Sequence, residues 1–333
     1  MIQQRLDFAY RRRQIKRHEP VSPAASIYAT EDGLKIPECL VRSVPRATIE
    51  TFNVIVLYYF AKQNWAHINH LHKMLRPAEI HMSSFFMNHL IQTELQLRNQ
   101  QGAWRAFTKY ARAVSPDMDT YDCLWTAEVR HTSINNGGDP RGFPVPRQLF
   151  AVMRVWMSSM DEKQRATARD SFSLDLYGKI IHSFCSQRDF AGCLVAIHAL
   201  AQDFGHYPDH NIARTMTTAV SNIPEPVAPV IRTRRGRQHL PASQARLKNT
   251  TSVLSALSQR RTQAAMEHGV ELEKMDPQAR LEENMNLLSE FIRVVLVRSL
   301  EDVENVEPEI ERAAQEMGAP GIRTGDVDAS NVS

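Results

Sequence analysis

The chain has 333 residues, 43% hydrophobic and 23% charged, the composition of a folded protein with room for one large domain or two ordinary ones. Its longest apolar run, Phe52 to Ala61, is too short to cross a bilayer, so no membrane span is expected. The formal charge of +3 hides an asymmetry, because Glu267 to Glu311 holds thirteen Asp/Glu against four Lys/Arg and residues 1–266 carry a net +13. A basic body suits a polyanion, and the acidic segment is expected to compete for that body.

Residues 1–45 form a basic, proline-containing segment. Its stretch RLDFAYRRRQIKRH, Arg5 to His18, reads equally as part of an Arg-rich mitochondrial targeting helix or as the last helix of a preceding repeat. Four cysteines, Cys39, Cys123, Cys185 and Cys193, make no CxxC pair, so reduced and mostly buried thiols are expected.

From residue 46 a pattern recurs. TFNVI (Thr51 to Ile55), FMNHLI (Phe86 to Ile91) and TYDCL (Thr120 to Leu124) place a polar slot at Asn53, Asn88 and Asp122, spaced by 35 and 34 residues. LYGKII (Leu176 to Ile181) puts Gly178 in the slot, and Arg214 follows 36 residues later in YPDHNIARTM. The one long gap, 56 residues between Asp122 and Gly178, contains the loop SINNGGDPRGFPVP, with an insertion at 133–146, and the polar stretch DEKQRATARDS, read as a longer connection. Each unit reads as two helices that cannot bury an apolar face alone, so neighbouring pairs must stack. The expected fold is all-α, an α-solenoid of about four to five helix-turn-helix units over 46–220. Its first helices begin near Thr51, Ser84, Thr120 and Leu174 and line one concave surface, with Asn53, Asn88 and Asp122 exposed there.

A Pro/Arg-rich linker is expected at 221–245, around VIRTRRGRQ. Residues 246–312 read as an acidic helical segment with a stripe of Leu281, Met285, Leu288, Ile292, Val295 and Val306, able to cap the solenoid or bind a protein partner. A disordered tail is expected at 313–333. His67, His70 and His72 lie close on one helix but lack an acidic or Cys neighbour, so no metal site is expected. No nucleophile motif, phosphate-binding glycine loop or paired-carboxylate site stands out, so neither an enzyme nor a cofactor is expected.

SPDMDTYDCLW, Ser115 to Trp125, resembles the repeat junction of the pentatricopeptide repeat family. Leu176 to Asp209 resembles a whole unit of that family, with Phe184-Cys185 closing its first helix and Pro208-Asp209 closing the unit. The likeness is to a fungal-type mitochondrial member, or a fragment of one. It implies a non-catalytic protein that binds single-stranded organellar RNA and acts in mitochondrial RNA processing, stability or translation, one base per repeat. It also implies base-choosing pairs, carried over here as Asn53 with Ser83, Asn88 with Asp117, Asp122 with Ser173, and Gly178 with Asp209. An amide both donates to and accepts from a base edge, and the second residue orients it. Phe85 is the neighbour able to stack on a base. Phosphate contacts are expected from Lys62, Lys73, Arg76, Arg98, Arg105, Lys109, Arg112 and Lys179. The alternative is a tetratricopeptide-like scaffold for protein–protein interaction, favoured if the concave face is apolar or acidic rather than basic.

Overall fold

The computed structural model describes residues 27–29, 35–37, 47–134, 142–221, 234–267, 275–300 and 304–325. Arg5 to His18 lies outside them, as do residues 135–141 of the 133–146 insertion. Among the described residues the chain is all-α, apart from two three-residue strands, β1 (Ile27–Ala29) and β2 (Lys35–Pro37), paired antiparallel with Tyr28 opposite Ile36. The chain divides into two compact units, Met1–Cys123 and Leu124–Ser333.

The first unit is built from α1 (Ile49–Ala61), α2 (Trp65–Leu75), α3 (Ser84–Gln96), α4 (Gln100–Tyr110) and the opening turns of α5 (Met118–Ile134). Helix α1 pairs with α2 and α3 with α4, while α3 also packs against α1 and α2. The helix starts are written in the sequence. Ser83 Oγ accepts the Phe86 N–H at 3.2 Å, and Asp117 Oδ1 accepts the Thr120 N–H at 2.9 Å, each satisfying an orphan donor of the first turn. The core comprises Phe52, Ile55, Val56, Ile68, Leu71, Met74, Leu75, Phe86 and Leu90. Full burial of one such side chain stabilises by about 1.5–3 kcal/mol, so these residues hold the helix pairs together.

The second unit contains α6 (Pro146–Ser158), α7 (Glu162–Ser171), α8 (Leu174–Ser186), α9 (Phe190–Phe204), α10 (His210–Ser221), α11 (Arg234–Glu267), α12 (Pro277–Leu300) and α13 (Val306–Glu316). Every residue of α9 from Ala191 to Leu200 is buried. It is apolar on all sides because α8, α12 and α13 all pack on it.

One device recurs in both units. Gln63, Arg98 and Arg188 each take a left-handed backbone, at φ 54°, 57° and 56°. In each turn that residue's N–H donates to the carbonyl three back (Phe60, Leu95, Cys185). The next N–H donates to the carbonyl five back (Tyr59, Glu94, Phe184). The residue that follows, Asn64, Asn99 or Asp189, stands at the N-cap position of the second helix. Asn99 and Asp189 accept an N–H from Gly102 and Gly192, each at 2.9 Å. At Gly192 an added Cβ would come within 2.7 Å of the Phe184 ring, so the glycine is needed there. A non-glycine residue in this conformation costs about 1–2 kcal/mol, offset by the carbonyls it satisfies.

Four expectations change. The polar stretch DEKQRATARDS is helix α7, capped by Asp161, whose carboxylate accepts the Gln164 N–H at 2.7 Å. The linker expected over 221–245 is helical from Arg234 onward. Val306 does not share a stripe with Leu281 but opens α13, and Leu281 itself is exposed. The tail expected from 313 is anchored as far as Gly325. Met317, Ala319 and Thr324 are buried, and Arg293 donates to Thr324 Oγ1 at 2.7 Å and to the Gly325 carbonyl at 2.9 Å. Composition reads polarity; it does not register one buried arginine holding Thr324 and Gly325.

Candidate nucleic-acid interface

Two of the four residue pairs singled out in the sequence are hydrogen bonded. Ser83 Oγ donates to Asn53 Oδ1 at 3.1 Å, across 30 residues. Asn88 Nδ2 donates to Asp117 Oδ1 at 2.9 Å, across 29. In each, the first helix of one hairpin is tied to the cap of the next, so a single bond sets both the junction and the amide's orientation. Thr120 Oγ1 extends the second contact, lying 2.7 Å from Asn88 Oδ1 and 2.9 Å from Asp117 Oδ1. Burial pushes the Asp117 carboxyl up, but hydrogen bonds from Ser84, Asn88 and Thr120 outweigh it and hold the group below its ordinary value. Asp119 is raised, by burial first and then by Asp117 and Asp122.

The exposure expected of these slots is met unevenly. Asn53 and Asp122 are half-buried, whereas Asn88 is only 5% exposed. Its amide is occupied by Asp117 and Thr120, which makes it a joint between the hairpins. Phe85 is exposed, its ring 4.4 Å from that of His89. The other two pairs are not joined in this way. Asp122 belongs to the first unit, and Ser173 to the second, where its Oγ accepts the Leu176 N–H at 3.1 Å to cap α8. Gly178 and Asp209 line one open cleft of about 580 Å³ with Tyr177, Lys179, His182 and Ile212. Asp209 caps α10 by accepting the Ile212 N–H at 2.8 Å. A Cβ on Gly178 would meet only Ile212 Cδ1, at a comfortable 3.8 Å, so packing does not require this glycine. The Tyr177 hydroxyl is buried without a partner among the described residues.

Charge is distributed unlike the expected concave groove. Within residues 47–123, every Lys and Arg falls in 62–76 or 98–112 and every Asp and Glu falls outside those windows. Helices α1 and α3 carry no Lys or Arg, and α1 exposes Val54, Leu57 and Tyr58. The seven cations sit on α2, α4 and their flanking turns, all exposed and none ion-paired with another described residue. Lys179, in the second unit, instead pairs with Asp175 at 2.7 Å. Of the histidines on α2, His67 bonds the Asn64 side chain and His72 Nε2 lies 2.7 Å from the Tyr110 hydroxyl. No cluster of three His, Cys, Asp or Glu positioned for a metal occurs among the described residues.

In the second unit the acidic helices keep their own counter-ions. Arg147 reaches Asp189 at 2.6 Å and both Glu309 and Glu316 at 2.9 Å, which raises its already high pKa further. Arg261 holds Glu283 at 2.6 Å and Glu290 at 3.2 Å, and Arg293 pairs with Glu307. The acidic segment thus pairs with cations of residues 1–266, Arg147 and Arg261, that lie in its own unit. Cys123, Cys185 and Cys193 are free and buried; burial pushes the Cys123 thiol up to about 12, and Cys193 is raised by its bond to Cys185 and by burial.

The left-handed turns at Gln63 and Arg98 escaped the reading of the sequence, although an Asn directly after a basic or amide residue marks each one. A scan against known protein families finds no model that matches the chain, and a search of curated proteins returns no match.

Proposed function

We propose that the chain is a helical-repeat protein of pentatricopeptide type, its helix pairs stacked as a solenoid, that binds single-stranded RNA without catalysis. Its place of action is the organelle, the mitochondrion, in RNA processing, stability or translation. The observation that carries this reading is the pair of junction bonds, Ser83 donating to Asn53 and Asn88 donating to Asp117, at two successive positions that the family resemblance assigns to base choice. The half-buried Asn53 retains its amide N–H groups for a base edge, and the unpaired cations of the first unit supply attraction for phosphate. Crosslinking in cells followed by sequencing of the bound RNA tests it. Enrichment of mitochondrial transcripts supports the proposal, and recovery of no RNA above background removes it.

A second reading has its own observation. Helices α1 and α3 expose Val54, Leu57, Tyr58 and Phe85 and bear no cation, the surface of a protein-binding scaffold. Purified chain that ignores RNA but captures a defined apolar-faced helix through Leu57 and Tyr58 would put this reading first.

A further inference from the structure

We infer that the exposed face of α2 and α4 is a track for the phosphate backbone of single-stranded RNA, separate from the slots on α1, α3 and α5. The inference rests on the RNA reading above and adds where the backbone lies. Arg105, Lys109 and Arg112 recur at helical spacing along one side of α4 and the turn beyond it, and Lys73 and Arg76 do the same at the end of α2. The His72–Tyr110 bond, with ring centroids 5.3 Å apart, sets the two stripes side by side.

Three features set this face apart from an ordinary solvated one. The first is the complete absence of carboxylates from 62–76 and 98–112. The second is proximity of like charge. Lys73 and Lys109, from different helices, both act on His72, whose ring is held below its ordinary value by burial first and then by these two lysines. Like charges gathered without a counter-ion destabilise a fold, and a polyanion relieves that cost. The third is interleaved aromatic surface. The Lys109 ammonium lies 4.8 Å from the Tyr110 ring centroid, and the half-exposed Trp104 stacks on Phe107 beside Arg105. A cation in a helix's last turn is worth about 0.3–1 kcal/mol against the helix dipole, which accounts for Lys73 and Lys109. It does not account for Arg105 in mid-helix, nor for the missing acids.

The test uses the full chain and a variant with Lys73→Gln, Arg76→Gln, Lys109→Gln and Arg112→Gln. Each is titrated with a fluorescent oligouridine of about 20 nucleotides between about 50 and about 300 mM salt. For single strands, log K falls with log salt by about 0.7 per phosphate neutralised, so the variant's slope should be shallower by about 2–3. Its affinity at the lowest salt should drop at least about 100-fold. Equal slopes and affinities would overturn the track while leaving RNA binding standing; failure of the wild type to bind at any salt would remove the RNA reading and the track together. Displacement of the RNA by polyglutamate at equal charge would overturn it in favour of an acidic protein partner. Should the fourfold variant lose its circular dichroism signal, single Lys73→Gln and Lys109→Gln variants must each reduce the slope by about 0.7.

Discussion

The two units of the chain differ in how much of their charge is paired, although the second also exposes cations, such as Arg214 and Arg298, that are unpaired among the described residues. In the second, Arg147, Arg154, Arg261 and Arg293 are each bound to carboxylates, and Arg147 alone gathers three. In the first, seven cations stand exposed with no ion-pair partner among the described residues, and the acids lie in other windows of the sequence. Paired charge has already found its counter-ion and serves the fold. Unpaired charge gathered on neighbouring helices is available to something outside the molecule. The net +13 of residues 1–266 therefore overstates the basic surface, since part of it is spent inside the second unit.

The sharpest contrast should come from truncating one cation in each unit. Arg147→Ala leaves Asp189, Glu309 and Glu316 without their shared partner and should cost about 2–4 kcal/mol in chemical denaturation, discounted from a fully buried pair because Arg147 is partly exposed. Lys109→Ala should change stability by less than about 1 kcal/mol, the worth of an exposed cation in a helix's last turn. Equal losses would erase the distinction between the units.

Glu128 tests the second unit by pH. It is 2% exposed, burial pushes its carboxyl up to about 7, and the Gln187 amide donating at 2.5 Å only partly offsets this. A carboxyl raised in the folded state binds its proton more tightly there than when unfolded. Its contribution is greatest below the ordinary value of 4.5 and falls as pH rises toward 7. Glu128→Gln, neutral at every pH, should therefore stabilise by up to about 2–3 kcal/mol more at pH 8 than at pH 4. A pH-independent difference would count against the buried carboxyl.

In the first unit, Asn88→Ala strips the junction bond from Asp117 and Thr120 and should cost about 1–3 kcal/mol. Asn53→Ala, at a half-buried site with one bond to Ser83, should cost less, about 0.5–1 kcal/mol. Thermal melts that reverse this order would contradict the reading of Asn88 as a joint. The smallest effect has the opposite sign. Gly178→Ala should stabilise by about 0.5–1 kcal/mol, because the helix gains a better former and the added Cβ fits. Gly192→Ala should destabilise against Phe184.

Much of this was legible in the sequence for physical reasons. Helices begin at Ile49, Ser84, Met118 and Leu174, close to the expected starts, because the caps Ser83, Asp117 and Ser173 are local signals readable one residue at a time. The slots Asn53 and Asn88 were legible through their spacing, and their partners Ser83 and Asp117 only through the family resemblance. Burial was not. Nothing in FMNHLI tells that Asn88 turns inward, since Thr120, which it meets, lies 32 residues away. Composition also hid α7, whose EKQRATARDS is polar yet helical and buries only Ala168. Its helicity comes from the Asp161 cap and good helix formers rather than from an apolar stripe.

The proposal turns on whether the first unit meets RNA. Ultraviolet crosslinking of the purified full chain to single-stranded RNA, followed by mass spectrometry of the crosslinked peptides, measures that directly. The expected result is crosslinked peptides from 62–76 and 98–112, with Trp104 and Tyr110 among the modified residues. Crosslinks confined to residues 124–333, where Arg147, Arg154, Arg261 and Arg293 already hold carboxylates, would contradict it.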